Sequence, residues 1–430
     1  MTPKSLLATT AACLSILLIS LCQAEEIKSD PYLEVPAADQ GLPGSGPLRR
    51  ADWFTSLWKQ RRGEWAQQAA KDQGAVVFLG DSITQGWGDS MGGNFKELKV
   101  ANRGISGDTT RGMLIRLPGD VLQLKPRGVV MLMGTNDLEE KATPETIAAN
   151  IELILNELAK ANPQLPIVIC EIFPSSASKS RPADKIKKAN ELIYNLARDR
   201  KNVTVLDTWN LFADPQGDAK PSEFPDVLHP NELGYAKWAS ALRPIFSTLG
   251  WVETEPDNFK LEDGYVSLTN GKDLSGWGFR DAEGKILESF DGKSLSSDGR
   301  YLAQNGKIIV TTPSTRSKLG QLYTTREFPK NFTLKLEFRA SPNADSGVFL
   351  RKPQLQCRDY PLAGPYKSLT KYKAQDWNEM EVVVKDNVAR CTCNGEVLEE
   401  ALQLPATGPI GLEGDRGQME YRRIRIKESP

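Results

Sequence analysis

The chain has 430 residues, a formal net charge of -1 at pH 7, and 40% hydrophobic and 25% charged residues. These values are typical of a soluble globular protein with about two or three domains. The near-zero net charge gives no electrostatic reason to expect nucleic acid or an anionic membrane surface as a partner. The sequence contains one histidine, His229, so a zinc site built from several histidines is excluded and imidazole chemistry depends on this residue.

The first 24 residues have the pattern of a secretory signal peptide. Lys4 provides a positive start, residues 6–21 are largely apolar, and residues 22–24 form a cleavage-like sequence. The apolar run is shorter than the about 20 residues that usually span a bilayer, so we expect a cleaved signal and no stable membrane span. Cys22 raises the alternative of a lipoprotein, which the bulky Leu21 before it disfavours. We therefore expect an exported protein, periplasmic or extracellular.

Residues 25–50 are rich in Pro and Gly and predict a loose lead-in. Continuous apolar segments then alternate with segments of helical period, which is typical of a parallel sheet with helices on both faces. We predict an α/β three-layer domain over residues 51–250, with ligands bound at the carboxyl ends of its strands. The predicted helices are 53–70, 144–161, 183–199 and 230–249, and the predicted strands are 75–79, 128–133, 167–173 and 203–206.

The sequence changes character after this domain. Residues 251–263 are acidic and irregular and predict a linker. Residues 264–430 contain short alternating runs separated by Gly, Asn and Pro turns, which predicts an all-β sandwich. The clearest of these runs are 302–310, 332–338, 380–384 and 421–426.

The cysteines outside the signal segment give two expectations. Cys170 lies in an apolar run and is predicted to be a buried core thiol. Cys391 and Cys393 alternate along one predicted strand and should point to the same face. Either could pair with Cys357 in an oxidising compartment, and the sequence leaves that pairing open.

A candidate catalytic set stands out in the first domain. Ser82 follows the first predicted strand, in a turn that begins at Gly80, and Asp226 lies three residues before His229. A serine hydroxyl becomes a good nucleophile when an imidazole takes its proton and a carboxylate holds that imidazole in the right tautomer. Pro230 predicts that His229 starts the last helix. Each short motif alone is more often a simple turn or a helix cap, so the interpretation depends on their combination.

Taken in chain order, four blocks resemble the SGNH hydrolases, also called GDSL esterases. The blocks are Gly80-Asp81-Ser82-Ile83, Asn102-Arg103-Gly104, Gly134-Thr135-Asn136-Asp137 and Asp226-Val227-Leu228-His229. The resemblance covers about residues 70–250, and residues 102–111 are most similar to the platelet-activating-factor acetylhydrolase-like branch.

This resemblance implies a flavodoxin-like α/β/α sandwich that needs no metal or cofactor. It implies Ser82 as nucleophile, His229 as base and then acid, and Asp226 as the carboxylate that orients the imidazole. It also implies an oxyanion hole made of the Ser82 and Gly104 backbone N–H groups and the Asn136 side-chain amide.

Residues from about 262 onward resemble the 3-keto-disaccharide hydrolase domain family, a concanavalin-like β-sandwich. The resemblance rests on residues 266–277, 345–351, 376–378, 393–395 and 408–412. Asp345 stands where the family pattern has Asn, and the segment between Arg351 and Trp377 is short, so glycan binding is favoured over glycan cleavage. The candidate glycan contacts are Trp277, Trp377 and Asp345, although aromatic rings in such a sandwich are more often in the core.

Three functions from different classes follow from the sequence. We favour an exported serine esterase that hydrolyses O-acyl esters, specifically O-acetyl esters, on carbohydrate or small molecules, with a glycan-binding second domain. The alternatives are a bifunctional enzyme that also cleaves 3-keto-glycosides, and a glycan-binding protein whose hydrolase domain has decayed. The presence of every expected catalytic residue weighs against decay. A lipid esterase is a rival to the first function.

Overall fold

The computed structural model describes residues 31–198, 200–252, 257–311 and 320–429. The predicted signal segment 1–24, with Cys13 and Cys22, lies outside the described residues. Within the described ranges, no helix combines the length and the apolar character needed to cross a lipid bilayer.

The first unit is a parallel sheet with helices on both faces, which confirms the predicted α/β three-layer architecture. Its strands are β1 Val76–Gly80, β2 Val100–Gly104, β3 Gly128–Leu132, β4 Ile167–Cys170 and β5 Val203–Leu206, and they lie in the order β2-β1-β3-β4-β5. Its α-helices are α1 Asp52–Gln68, α2 Ser82–Gly86, α3 Thr110–Asp120, α4 Thr135–Glu139, α5 Pro144–Ala161, α6 Ala183–Arg198, α7 Thr208–Phe212 and α8 Glu232–Thr248. Short 3₁₀ turns cover Pro31–Leu33, Met91–Gly93, Leu122–Leu124 and Ala177–Lys179.

The core of this unit follows from its apolar patterning. Every residue of β1 and β3 is buried, since helices cover both faces of the sheet. Helix α5 begins where the Thr143 side chain accepts a hydrogen bond from the Thr146 N–H, with Pro144 in the first turn. Its inner face, including Ile151 and Leu155, packs into the core beneath the sheet.

One strand was missed by the sequence analysis, and one local prediction was wrong. Strand β2 was not predicted because its buried positions are polar: Arg103 pairs with Asp72 at 2.6 Å, and Asn102 donates to the Thr84 carbonyl at 2.8 Å. Helix α8 begins at Glu232 with Asn231 as its cap, so His229 lies in the turn before the helix and not at its start.

The second unit is an antiparallel β-sandwich, which confirms the all-β prediction. Its elements are β6 Val266–Ser267, β7 Trp277–Arg280, β8 Ile286–Ser289, β9 Tyr301–Gln304, β10 Lys307–Val310, β11 Leu322–Thr324, β12 Asn331–Ala340, β13 Gly347–Leu350, β14 Gln354–Gln356, the short helix α9 Tyr360–Ala363, β15 Asn378–Lys385, β16 Val388–Cys393, β17 Glu396–Gln403, β18 Ile410–Leu412 and β19 Met419–Ser429. One sheet has the order β17-β16-β15-β12-β19-β10-β9, with β6 paired to β19. The other has the order β14-β13-β18-β11-β7-β8.

The two sheets share one apolar core. Strand β12 alternates strictly between buried and half-buried residues, so that every second side chain faces inward. Leu336 of β12 and Val348 of β13, which belong to different sheets, lie in the same buried cluster.

The lead-in before α1 is fastened to the first unit, so the prediction of a loose segment was wrong for its described part. The Ser45 N–H and carbonyl pair with the Asn150 side chain at 3.1 and 2.8 Å. The Thr109 hydroxyl donates to the Pro47 carbonyl at 2.7 Å, and Leu48 is buried. These contacts hold the segment against the start of α3 and the inner part of α5.

The predicted linker 251–263 is anchored to one unit at its start and to the other near its end. Trp251 and Val252 are buried in the core of the first unit. On the other side of residues 253–256, which lie outside the described ranges, Glu262 forms an ion pair with Arg425 of β19 at 2.6 Å.

The two units also touch each other directly. Asn343 donates to the Asp207 carboxylate at 2.7 Å, and the buried Gln418 amide donates to the Pro244 carbonyl at 3.2 Å and to the Thr248 hydroxyl at 3.0 Å. The sandwich therefore contacts the α7 and α8 side of the first unit.

The four described cysteines are buried free thiols. This confirms the prediction for Cys170, whose sulfur accepts a hydrogen bond from Trp238 at 3.3 Å. Burial raises the pKa of Cys170, Cys391 and Cys393 to about 12, and it raises the pKa of Cys357 well above its ordinary value.

Candidate active site

Ser82 is the first residue of α2, directly after β1. The sharp turn needs Gly80, since a Cβ there would lie 2.1 Å from the Thr84 hydroxyl and 2.7 Å from the Leu132 carbonyl. Asp81 caps the helix by accepting the Ile83 N–H at 2.9 Å. The turn therefore places Ser82, with the free N–H of a helix start, at the carboxyl end of the central strands.

Asp226 and His229 face Ser82 from a tight turn before α8. The Asp226 Oδ1 accepts the backbone N–H groups of Leu228 at 3.1 Å and His229 at 2.7 Å. Its Oδ2 lies 2.8 Å from His229 Nδ1, and His229 Nε2 lies 3.0 Å from the Ser82 Oγ. Because an ionised carboxylate can only accept, Nδ1 carries the ring proton and Nε2 is left to accept the serine proton.

Asp226 is held in its ionised form. Partial burial raises the pKa of this carboxyl, but the backbone and ring hydrogen bonds from His229 outweigh that effect and bring the pKa to about 2. A stable negative charge beside Nδ1 favours the imidazolium that forms when the serine proton is taken.

Gly104 does not supply a free oxyanion donor, so that sequence prediction was wrong. Its N–H donates to the Asn102 side chain at 2.8 Å, and a Cβ at this position would lie 2.3 Å from the Gln85 N. Gly104 is therefore needed for close packing of β2 against α2.

The glycine three residues further on is a better candidate. Gly107 has φ +84°, is buried, and its N–H has no acceptor within the described residues. A buried N–H without a partner is rare and indicates a place for a ligand. The loop around Gly107 is bonded to the elements that carry the two other candidate donors, the Ser82 N–H and the Asn136 amide. The Ser106 N–H donates to the Gln85 side chain of α2 at 2.7 Å, and the Asp108 carbonyl accepts from the Asn136 amide at 2.9 Å.

Asn136, the second residue of α4, is fixed on both sides of its amide. One N–H is used by the Asp108 carbonyl, and the amide oxygen accepts from Arg181 at 3.2 Å. Arg181 is itself buried and anchored by two hydrogen bonds to Thr135 at 3.0 Å. The second Asn136 N–H remains as a donor, and Arg181 is a residue that the sequence analysis missed.

Comparison with known proteins assigns a family match to each of the two units. Residues 78–237 match the GDSL-like lipase/acylhydrolase family, and residues 264–427 match the 3-keto-alpha-glucoside-1,2-lyase-like domain. Over 199 residues the chain is 30% identical to the human (Homo sapiens) platelet-activating factor acetylhydrolase IB subunit alpha2, covering 45% of this chain and 84% of that protein. The chain belongs to the GDSL-like lipase/acylhydrolase family.

Solved structures similar to this GDSL-family chain include a GDSL-like lipase from Bacteroides thetaiotaomicron, with 26% identity and a TM-score of 0.39 over 44% of this chain and 97% of that one. A lipase/acylhydrolase from Enterococcus faecalis has 23% identity and a TM-score of 0.36 over 42% of this chain and 98% of that one.

Three carboxyl groups in or next to the GDSL-family blocks are buried. Burial raises the pKa of Asp81 to about 6, of Asp108 to about 7 and of Asp137 to about 6. Asp108 is paired with the buried Arg116 at 2.7 Å, and Asp137 accepts from the Thr110 backbone and hydroxyl at 2.9 and 2.6 Å. Asp108 and Asp137 thus tie the Gly107 loop to α3 and α4.

The candidate glycan contacts of the second unit do not form one site. Trp277 is fully buried and donates to the Leu268 carbonyl at 2.7 Å, so its prediction as a sugar contact was wrong. Trp377 packs against cations on the larger sheet, with the Arg422 guanidinium 3.9 Å from its ring centre. Asp345 lies next to β13 on the other sheet and forms an ion pair with Arg358 at 2.6 Å.

Proposed function

We propose that this GDSL-family protein is a serine esterase that cleaves carboxylic esters through an acyl-enzyme on Ser82. The observation that carries the proposal is the continuous hydrogen-bonded row from Ser82 Oγ to His229 Nε2, at 3.0 Å, and from His229 Nδ1 to Asp226, at 2.8 Å. Both separations fall within the reach that proton transfer requires.

The acylation step uses these atoms in turn. The Ser82 oxygen attacks the ester carbonyl carbon while its proton passes to His229 Nε2, and Asp226 stabilises the imidazolium. The carbonyl oxygen becomes an oxyanion. When this intermediate collapses, the C–O bond to the alcohol breaks and His229 returns the proton to the leaving alcohol. A water molecule, deprotonated by His229, then attacks the acyl carbon. The bond from that carbon to the Ser82 oxygen breaks, His229 returns the proton to this oxygen, and the carboxylic acid is released.

The proposed oxyanion hole consists of the backbone N–H groups of Ser82 and Gly107 and the side-chain amide of Asn136. Gly107 replaces Gly104 in this role because the Gly104 N–H is already used by Asn102. Donors fixed before the reaction stabilise the oxyanion without reorganisation, and loss of one such donor costs about 3–4 kcal/mol of transition-state stabilisation.

O-Acetyl groups on carbohydrate are the proposed substrates, and the protein is proposed to act after export. The substrate class is supported by the match of residues 264–427 to a 3-keto-alpha-glucoside-1,2-lyase-like domain, which joins the hydrolase unit to a carbohydrate-related one. Export is supported by the signal-like pattern of residues 1–24.

The test compares hydrolysis of p-nitrophenyl acetate, butyrate and octanoate by residues 25–430 and by Ser82→Ala. Ser90→Ala, which removes an exposed serine hydroxyl a short distance along the chain, is the matched control. We expect Ser82→Ala to lose activity, Ser90→Ala to keep it, and acetate to be the best of the three esters. A wild-type rate equal to that of Ser82→Ala on every ester would contradict the proposal and favour a glycan-binding protein.

A second candidate is a bifunctional enzyme that also cleaves 3-keto-glycosides, favoured by the family match of the sandwich. The full-length Ser82→Ala variant isolates that activity because the proposed esterase is disabled. Release of free sugar from a 3-keto-glycoside by this variant would establish the second activity. Binding without release would leave the sandwich as a glycan-binding unit.

A further inference from the structure

A recess of about 570 Å³ lies beside the proposed oxyanion hole and has no role in the mechanism above. Its lining is formed by Leu48, Arg49, Arg50, Ala51, Trp53, Glu139 and Glu140. It adjoins the Gly107 loop, since a Cβ on Gly107 would lie 2.5 Å from the Trp53 ring and 2.8 Å from the Arg49 guanidinium. On its other side it adjoins Asn136, because Glu139 ends the same short helix.

Trp53 is unusual among the aromatic residues of α1. Its side chain is 53% exposed, whereas Phe54 and Trp58 are fully buried and Trp65 is 5% exposed. The edge of the ring contacts Phe54 in a T-shaped arrangement with centroids 5.7 Å apart, and the Arg49 guanidinium lies 5.8 Å from its centre. An indole held at the rim of a recess in this way offers an apolar face to a flat ligand.

The charges around the recess are already balanced. Arg49 is paired with both Glu139 and Glu140, the latter at 2.8 Å, and Arg50 is paired with Asp39. Both guanidinium groups are thus neutralised, which disfavours a phosphate-bearing lipid as the ligand. Apart from Trp53 and the buried Leu48, the lining has no large apolar side chain for a long acyl chain.

We propose that this recess binds the pyranose ring that carries the acyl group, so that the enzyme selects O-acylated sugars at its catalytic unit. The ring stacks on Trp53, while Glu139 and Glu140 accept hydrogen bonds from its hydroxyl groups and Arg49 donates hydrogen bonds to its oxygens. Glu139 also lies 3.1 Å from Arg181, which holds Asn136, so sugar binding is coupled to the oxyanion donor. This inference rests on the proposed esterase function.

The first experiment measures acetate release from a methyl O-acetyl-glucopyranoside and from methyl acetate, which has no ring. In Trp53→Ala we expect the ratio of kcat/KM for the sugar ester to that for methyl acetate to fall about 5- to 10-fold, through a higher KM for the sugar ester. Trp53→Tyr, which keeps an aromatic face, should recover most of the ratio. Tyr32→Ala removes an exposed ring from the same lead-in and should leave the ratio at its wild-type value.

An unchanged ratio in Trp53→Ala would overturn the inference. So would a wild-type enzyme that prefers an acetylated lysophospholipid to the sugar ester and loses this preference when salt is added. A second measurement does not depend on turnover. The inactive Ser82→Ala chain is titrated calorimetrically with the sugar ester, and we expect Ser82→Ala/Trp53→Ala to bind it about 5- to 10-fold more weakly. Equal affinity of Ser82→Ala and Ser82→Ala/Trp53→Ala for the sugar ester would refute this site. If the proposed esterase function were wrong, the hydrolysis rates of the wild-type chain and of Ser82→Ala would be equal.

Discussion

The guanidinium of Arg181 lies 3.2 Å from the side-chain oxygen of Asn136 and fixes which end of that amide can face a substrate. Arg181 is buried, and its other nitrogens donate to Thr135 and to the Lys179 carbonyl at 2.6 Å. If the Asn136 amide turned over, two sets of N–H donors would meet and the Asp108 carbonyl would lose its partner. The orientation of this amide is therefore set by the protein before a substrate arrives.

Replacement of Arg181 by Lys should lower kcat about 10-fold or more with little change in KM, because a point charge cannot keep the planar set of contacts to Thr135 and Asn136. Asn136→Ala should cost about 10²–10³ in kcat. In the Asn136→Ala background the Arg181→Lys change should add almost nothing, since it acts through the amide. Additive losses in this double-mutant cycle would show that Arg181 acts through general stability instead.

Asp226→Asn should lower kcat/KM by about 10²–10⁴ while the turn stays folded. The asparagine oxygen can still accept the Leu228 and His229 backbone N–H groups, but an amide N–H facing His229 Nδ1 favours the wrong ring tautomer. Steady-state ester hydrolysis and circular dichroism measure the two effects. A variant with nearly wild-type kcat/KM would remove Asp226 from the proposed mechanism.

Ser82→Ala and His229→Ala should be equally inactive, and the double variant should be no worse than either single one. The two residues act as a unit, since the hydroxyl is a weak nucleophile without the base and the base has no proton to take without the hydroxyl. Single-turnover assays with p-nitrophenyl acetate would compare the residual rates. A His229→Ala variant that still forms an acyl-enzyme at the wild-type rate would contradict this interdependence.

Asp81→Asn should make the pH dependence of stability less steep between pH 4 and about 7, while Asp108 and Asp137, whose pKa values burial also raises, keep their own contributions. Burial raises the pKa of Asp81 to about 6 from an ordinary value of 3.8, so across this window the folded chain holds a proton that the unfolded chain has lost. The free energy of unfolding therefore falls as pH rises, by on the order of 3 kcal/mol from this group. Asp226, with its lowered pKa, acts only below this window. Urea unfolding at several pH values would test the difference, and equal slopes would contradict it.

The four thiols of residues 25–430 should not react with Ellman's reagent in the native state and should all react after unfolding in guanidinium chloride. All four are buried, and burial raises their pKa values, so little reactive thiolate forms at neutral pH. Fewer than four thiols after unfolding without a reductant would reveal a disulfide and return attention to the pairing of Cys357 with Cys391 or Cys393 that the sequence left open.

The sequence predicted Ser82, Asp226 and His229 as one set because their motifs occur together in the chain order of a known family, and the three-residue spacing of Asp226 and His229 fixes the local part of the geometry. The prediction of Gly104 as an oxyanion donor failed for a different reason, and Gly107 is the residue now proposed. Gly104 and Gly107 lie three residues apart in one block, and the distinction between them depends on the Asn102 side chain folding back onto one of their N–H groups. Nothing in the order of residues carries that information.

Burial of single aromatic residues was equally hard to predict. Trp277 and Trp53 are both tryptophans near polar neighbours, yet the first is fully buried and the second is half exposed. Their difference comes from which sheet or helix face is covered, which is a property of the whole fold. Arg181 was missed because it lies far along the chain from Asn136, and a single arginine forms no recognisable sequence motif.

The presence of a single histidine in 430 residues makes the proposed base directly observable. In a preparation without a polyhistidine tag, every imidazole signal in a proton NMR spectrum belongs to His229. Its protonation could be followed while ester is being consumed, without assignment of the rest of the spectrum. Chemical modification by diethyl pyrocarbonate would likewise have one imidazole to count, and the spectroscopic and kinetic readings would refer to the same ring.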